Sequence, residues 1–537
     1  GLMPIERLVT TALLPQGTLD LAGFFETISG ASAFRALART LDTAFFGALL
    51  SLAIGGPLAF LVTLTDMPLR RLVGLLLLLP LMIAPQVMAL AWLYLLGPSS
   101  ALLGAAGLAP AAGSPNPLLG REGIILLYGV QHAPIVYIAL RAGLVRVPEE
   151  LLEAARAAGA STVRACLDVA VPLIRPYVAA AVALAFVSGL GNFGIPALLG
   201  MPVNYHTLTT LIYQRISSFG PRVLPDVAAI ATLIAALCLA GALVQAGILG
   251  RVGHRVQHGR AALLHLGFWG PVAAALALGF LALVLLLPFL ALVATSLVPA
   301  FGVPLTMETL TLGNYVEVVA TQAATRRAFV NSFLLAGGAA IVLALLAVPL
   351  AQRLERTDPR LRGTLAAVGE LPYAVPGIVL ALACILLFIR PLPLVGSLYA
   401  TAWIILAAYL MRFFVLALKP VSAATGQLPR ELGEAAAAAG AGATTRLLTI
   451  VLPLIAPAAV GAGLLVFMSA FNELTVSALL WSGGNETLGV VLFSLSEAGL
   501  GPQAAAIGVA TVLVVALLLL VLDRAGSRLP PGVLPWR

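Results

Sequence analysis

Eleven stretches of this 537-residue sequence run apolar for about the length a helix needs to cross a bilayer. They lie near 42–65, 72–97, 122–143, 168–193, 226–250, 265–297, 328–351, 364–389, 397–418, 450–480 and 504–522. A hydrocarbon core about 30 Å thick takes about 20 helical residues, whereas barrel strands are about half as long and alternate in polarity. These runs do not alternate, and most loops between them are short. The fold class they predict is an all-α polytopic membrane protein. With 61% hydrophobic and only 10% charged residues, the chain carries more apolar surface than a soluble core could enclose. The formal charge of +8 would suit a nucleic-acid partner, yet the arginines sit in short loops, where they report topology. The expected partner is therefore the lipid bilayer, with no nucleic acid.

One charged, helix-forming segment occurs twice: VPEELLEAARAAGASTVRACLDVAVPLIRP at 147–176 and LPRELGEAAAAAGAGATTRLLTIVLPLIAP at 428–457. Glu153 pairs with Glu434, Gly159 with Gly440, Pro172 with Pro453 and Pro176 with Pro457, each 281 residues apart. Six spans separate the copies, an even number, so both face one compartment. If that compartment is the cytoplasm, its loops carry 20 basic residues against 9 on the opposite side, which is the positive-inside pattern. Other marks recur 292 residues apart, Thr65–Asp66 with Thr357–Asp358 and Pro80 with Pro372. The chain thus reads as two tandem halves, 1–250 and 261–537, joined by a basic stretch, RVGHRVQHGR (251–260), expected at the cytoplasmic surface. Residues 1–13 resemble 286–297, which close a full span, so the first helix is expected to be truncated, with about 11 of 12 spans visible.

The repeated segment has a clear local logic. Each copy is alanine-rich, with a glutamate near its start, where a carboxylate complements the helix dipole. Pro148 and Pro429 suit a helix start. Gly159 and Gly440 end the alanine run and allow a sharp turn or close backbone approach. A proline-bearing stretch then opens the next membrane helix. The result is a compact cytoplasmic knob.

This pattern, Glu153-Ala154-Ala155 with Gly159 and Glu434-Ala435-Ala436 with Gly440, resembles the EAA loop of ABC-importer permeases. In that family the loop is a coupling helix that docks into a groove on an ATP-binding subunit. The resemblance covers essentially the whole chain, as a fused pair of type I permease domains in a bacterial inner membrane. It implies cytoplasmic EAA loops and C-terminus, two copies of a cytoplasmic ATPase subunit, and a periplasmic binding protein that delivers cargo. A linker helix that merely covers helix ends is the plainer reading of either copy alone.

A P-loop needs a lysine after a glycine-rich turn. The single lysine, Lys419, is followed by proline and has no such loop before it. ATP and Mg are therefore expected on the partner ATPase, with no cofactor and no catalytic site in this chain. Cys166, Cys238 and Cys384 show no metal-ligand or redox spacing and read as buried small hydrophobes. His132 and His206 are isolated, so packing or polar-cap roles are expected, and no metal site is.

Two further segments are similar to ferric-iron permeases: GNFGIPALLG at 191–200 and NELTV at 472–476. The resemblance implies import of ferric iron. Fused permeases for thiamine, aminoethylphosphonate and polyamines share much of it, and an ion-gradient-driven secondary transporter is the rival from another class. Asn192 and Glu473 occupy equivalent positions, 281 apart, with Asn472 adjacent. Polar groups within a span commonly face a cavity, which puts Asn192, Asn472 and Glu473 near a translocation path. The alternative is that they tie helices together by hydrogen bonds. Glu370 is the other intramembrane carboxylate, and nothing in the sequence groups it with Glu473. Loops at 98–121, 195–225, 298–327 and 481–503 are candidate docking surfaces for the binding protein.

Overall fold

A computed structural model describes residues 2–15, 17–111, 113–218, 220, 222–251, 264–355, 357–391 and 396–525. The basic joining stretch lies outside the described residues beyond Arg251. The first set of helices is α1 (Leu2–Leu13), α2 (Ala31–Leu64), α3 (Arg70–Met82), α4 (Pro85–Leu96), α5 (Arg121–Leu144), α6 (Glu149–Ala157), α7 (Val171–Leu190) and α8 (Val223–Arg251). The second is α9 (Trp269–Leu281), α10 (Leu287–Ser296), α11 (Ala323–Glu355), α12 (Pro359–Ala374), α13 (Gly377–Phe388), α14 (Ala402–Gly426), α15 (Arg430–Ala438), α16 (Leu452–Phe471) and α17 (Gly501–Ala525). Ten helices among the described residues are long and apolar enough to cross a membrane, or eleven if α12 and α13 count as one bent span. The protein is an all-α polytopic membrane protein, as the apolar runs require.

The two sets repeat their contacts as well as their order. Leu208 N–H donates to Thr40 Oγ1 at 2.8 Å, and Leu488 N–H donates to Ser332 Oγ at 2.9 Å. Each bond pins the start of a short helix to a long span, α2 or α11. The sets also exchange a helix. α1 packs against α13 and α8, while α10 packs against α4 and α17. Each set therefore lends its first helix to the other's inner wall.

Three runs read as single spans, 72–97, 364–389 and 450–480, are broken in the structure. Between α3 and α4 the chain turns extended at Ile83 and Ala84 (ψ 132° and 135°). Between α12 and α13 it bends by 98°. Proline explains both breaks: Pro85 and Pro376 disfavour the α conformation in the residue before them. After α16 the helix stops at Asn472, and a short helix, Ser477–Leu480, follows. Apolarity continues through all three breaks, so hydropathy alone does not reveal them.

A second proline effect is gentler. Cys166–Ala170, Ala282–Leu286 and Leu447–Val451 are π-helical turns, and Val171, Leu287 and Leu452 donate five residues back to close them. Each turn is followed by a proline, Pro172, Pro288 or Pro453. A proline has no N–H to give and its ring crowds the carbonyl four residues back, so widening the turn relieves both faults.

The sets are also clasped at one loop. Leu264 N–H donates to Leu64 O at 2.7 Å and Asp66 N–H donates to Leu264 O at 3.2 Å, while Leu266 N–H donates to Asp66 Oδ1 at 2.9 Å. His265 Nδ1 lies 3.0 Å from Asp66 Oδ2. The Leu266 amide, and then His265, hold the Asp66 carboxyl below its usual range.

Within the bilayer, helices associate through close approach of small residues. α2 and α5 show this directly: a Cβ on Gly55 would overlap the Ala133 carbonyl oxygen, and one on Gly129 would overlap the Leu50 side chain. Gly279 on α9 has no such neighbour. Gly55→Val is expected to cost about 1–3 kcal/mol by forcing the helices apart, whereas Gly279→Ala is neutral or slightly stabilising. Thermal unfolding of the purified protein in detergent checks this, and equal melting temperatures for both variants would contradict the packing.

Candidate functional site

Two regions gather the residues singled out in the sequence, and the same helices lead to both. The first is the pair α6 and α15. Pro148 and Pro429 are extended N-caps (ψ 136° and 130°). Gly159 and Gly440 adopt φ of +89° and +83°, where side-chain-bearing residues are strained. They close each helix identically. Gly159 N–H donates to Arg156 O and Ala160 N–H to Ala155 O; Gly440 N–H donates to Ala437 O and Ala441 N–H to Ala436 O. These are Schellman closures, so the glycine is a conformational requirement as well as a pattern.

Glu153, Ala154, Glu434, Ala435, Gly159 and Gly440 are exposed, while Ala155 and Ala436 are half-buried. The EAA faces are therefore open to a partner. The copies are seated differently. Leu152 of α6 is buried in the core of the first set, and Arg146 Nη1 donates to Tyr177 Oη at 2.9 Å beneath it. The position equivalent to Leu152 is Gly433, whose carbonyl accepts a 3.3 Å bond from Arg446 Nη1. One copy is anchored by an apolar side chain and the other by a backbone hydrogen bond.

The second region is a cavity of about 850 Å³ between the two sets. Ile135, Ile138 and Ala139 of α5 and Arg412, Val415, Leu416, Lys419 and Pro420 of α14 line it. Asn192, Asn472 and Glu473 all line it. So does Glu370: residues that the sequence left ungrouped share one wall. Arg412, Lys419, Gln86 and Thr475 also line it, and the sequence placed none of them at a cavity.

At the deep end, Glu473 Oε2 lies 3.5 Å from Arg412 Nε, with the side chains 10% and 16% exposed. That spacing makes an ion pair without a formed hydrogen bond, and Arg412 Nε has no hydrogen-bond partner. Glu473 Oε1 accepts separately from the Thr475 hydroxyl and from Val476 N–H. Arg412 Nη1 donates to Val375 O at 3.2 Å, a carbonyl at the α12–α13 break. Gly377 permits this convergence, since a Cβ there would overlap Thr475 Oγ1 and sit 3.2 Å from Arg412 Cζ. Nearer α15, Lys419 Nζ pairs with Glu370 Oε1 at 2.8 Å, with side chains 65% and 44% exposed.

The first set meets the same needs without charge. Gln131, 281 residues before Arg412, donates to Pro80 O at 2.5 Å. Asn192, equivalent to Glu473, accepts from Ile195 N–H at 3.2 Å. The sets are joined at Asn472, whose Nδ2 donates to Met82 O at 3.1 Å and whose carbonyl accepts from Gln86 Nε2 at 3.3 Å. Asn472 thus lines the cavity and also ties helices together. His132 is buried with its ring 5.4 Å from that of Tyr128, a packing position. The three cysteines are free and buried.

The sequence profile of a family described as "Binding-protein-dependent transport system inner membrane component" matches residues 47–255 and 345–534. A similar protein is "Probable ABC transporter permease protein y4fN" of Sinorhizobium fredii, 28% identical over 85% of this chain and 80% of that one. Another is "Fe(3+)-transport system permease protein FbpB 2" of Haemophilus influenzae, 27% identical over 69% of this chain and 70% of that one. "Putative 2-aminoethylphosphonate transport system permease protein PhnV" of Salmonella paratyphi A is 30% identical over 31% of this chain and 61% of its own length.

Removing one partner of a buried ion pair strands the other. Arg412→Ala is expected to destabilise the protein by about 3–5 kcal/mol. Arg412→Gln combined with Glu473→Asn, which copies the first set, is expected to recover most of that loss. Unfolding midpoints of the purified variants test it, and an additive double variant would show that the pair is not coupled.

Proposed function

The chain belongs to the binding-protein-dependent transport system inner membrane component family, and from that premise we propose that it imports ferric iron by alternating access driven through α6 and α15. Membership makes it a multi-pass membrane permease of an ABC importer, a transport subunit without ATPase activity of its own. Such an importer requires a separate ATPase subunit and a periplasmic binding protein. Everything finer is our reading: a bacterial inner-membrane location with the EAA loops and C-terminus cytoplasmic, two ATPase copies, and halves 1–250 and 261–537 that rock against each other.

The observation that carries the reading is mechanical. Two exposed helices, closed by the same hydrogen bonds, sit at the ends of α5 and α14, whose inner faces line the cavity. A push on either helix is transmitted to the cavity wall through the short turn at 145–148 or 427–429 that joins it to α5 or α14. In this mechanism loaded binding protein docks on the loops at 98–121, 195–225, 298–327 and 481–503. The ATPases close on ATP, and the stroke passes through Glu153-Ala154-Ala155 and Glu434-Ala435-Ala436. Asn192, Asn472 and Glu473 then reorient with the walls to which they belong. The ferric cargo is supported by the likeness to the Haemophilus protein; the Salmonella likeness supports an aminoethylphosphonate alternative, and thiamine or polyamine remain further alternatives.

Two outcomes are expected. In a reconstituted complex, Glu434→Lys or Gly440→Val abolishes binding-protein-stimulated ATP hydrolysis while the permease still folds; wild-type stimulation in either variant would count against α15 as a coupling helix. Proteoliposomes holding the ATPase and the loaded binding protein should accumulate labelled ferric iron in preference to thiamine or aminoethylphosphonate. Uptake of another cargo without iron would end the iron assignment.

A further inference from the structure

The four charged side chains that line the cavity cancel, Arg412 and Lys419 against Glu370 and Glu473. The backbone does not cancel. α4 and α13 both begin at the deep end, where Pro85, Gln86, Val375 and Pro376 line the wall. Two helix N-termini therefore bring their positive dipole ends to the same place.

The cations and acids are also disposed differently. Arg412 and Lys419 are seven residues apart on α14, so they share one face about 10 Å apart along the axis. The acids come from separate elements, Glu370 from α12 and Glu473 from the segment after α16. Glu473 is held by Thr475 and Val476 independently of Arg412. Arg412 holds its buried Nε toward Glu473 Oε2 at 3.5 Å and spends one Nη1 bond on Val375 O. An entering anion can take the other guanidinium Nη donors while the Arg412–Glu473 pair stays in place.

We propose that the deep end of the cavity is an anion-recognition site, with Arg412 as its specificity-determining residue. The cargo crossing it carries an anionic group, either a phosphonate or carboxylate, or a ferric ion held as an anionic complex. Lys419, nearer α15, is the second cationic station on the same helix face. The inference rests on reading the cavity as the translocation path, and it narrows the cargo within that reading. Thiamine and polyamines are cations, which the dipole ends and Arg412 disfavour.

The test uses the full chain with its ATPase subunits in lipid nanodiscs and without binding protein, so that the selectivity of the permease is read alone. Equilibrium binding and melting temperature are measured with 2-aminoethylphosphonate, ferric citrate, putrescine and thiamine. The anionic probes, or one of them, should bind and raise the melting temperature, while the cations do neither. Arg412→Gln should weaken anion binding by about tenfold or more. Should that variant fail to fold, Arg412→Gln with Glu473→Asn keeps the site neutral and must show the same loss. Response to ferric citrate alone identifies a metal complex as the anion, and response to aminoethylphosphonate alone identifies a phosphonate. Cation binding equal to anion binding, no anion binding, or unchanged anion binding in the double variant overturns the proposal. Uptake is a separate readout: intact anion binding with no ATP-driven uptake would sink the transport reading and leave the site standing.

Discussion

A backbone broken inside hydrocarbon must find donors for the carbonyls it frees, because there is no water to supply them. Much of this molecule follows from that requirement. The chain breaks before Pro85 and Pro376, and at each break a side chain from the neighbouring span answers, Gln131 to Pro80 O and Arg412 to Val375 O. Irregular backbone is tolerated at membrane depth only where protein or a cavity surrounds it. The breaks therefore fix where the cavity lies, and α5 and α14 must run beside them. Those are the helices that short turns at 145–148 and 427–429 join to α6 and α15.

The two solutions differ in cost. Glutamine is neutral, so the first break adds no charge to the membrane. Arginine brings a charge that Glu473 must balance, and the pair appears where the first set has Gln131 and Asn192. Both positions differ together, so the charge that Arg412 brings is matched by that of Glu473. Leu152 against Gly433 adds asymmetry at the knobs. A duplicated scaffold thus carries two unequal walls.

Much of this was legible in the sequence and some was not, for physical reasons. Span number and the equivalence of the two EAA segments were readable because apolar length and glycine φ are local demands. The breaks at Ile83–Ala84 and Val375–Pro376 were hidden, since hydropathy runs unbroken through both. Glu473 and Asn192 could be paired by their 281-residue offset, but Arg412 could not be joined to Glu473. Their contact spans α14 and the segment after α16, and an arginine near a helix end reads as topology. Lys419 was noticed only as the absence of a P-loop, although it forms the second ion pair with Glu370.

The crossed packing of α1 and α10 bears on how the chain is built. α10 meets α4 when it enters the membrane, because α4 is already made. α1 waits for α13, which begins some 360 residues after it ends. At about 5–20 residues per second, that wait is on the order of 20–70 seconds. During synthesis the first set holds an unfilled berth for a helix it cannot supply, and α1 remains half-partnered on α8. Assembly is therefore ordered: the second half is completed by the first as it inserts, while the first is completed only when the second arrives.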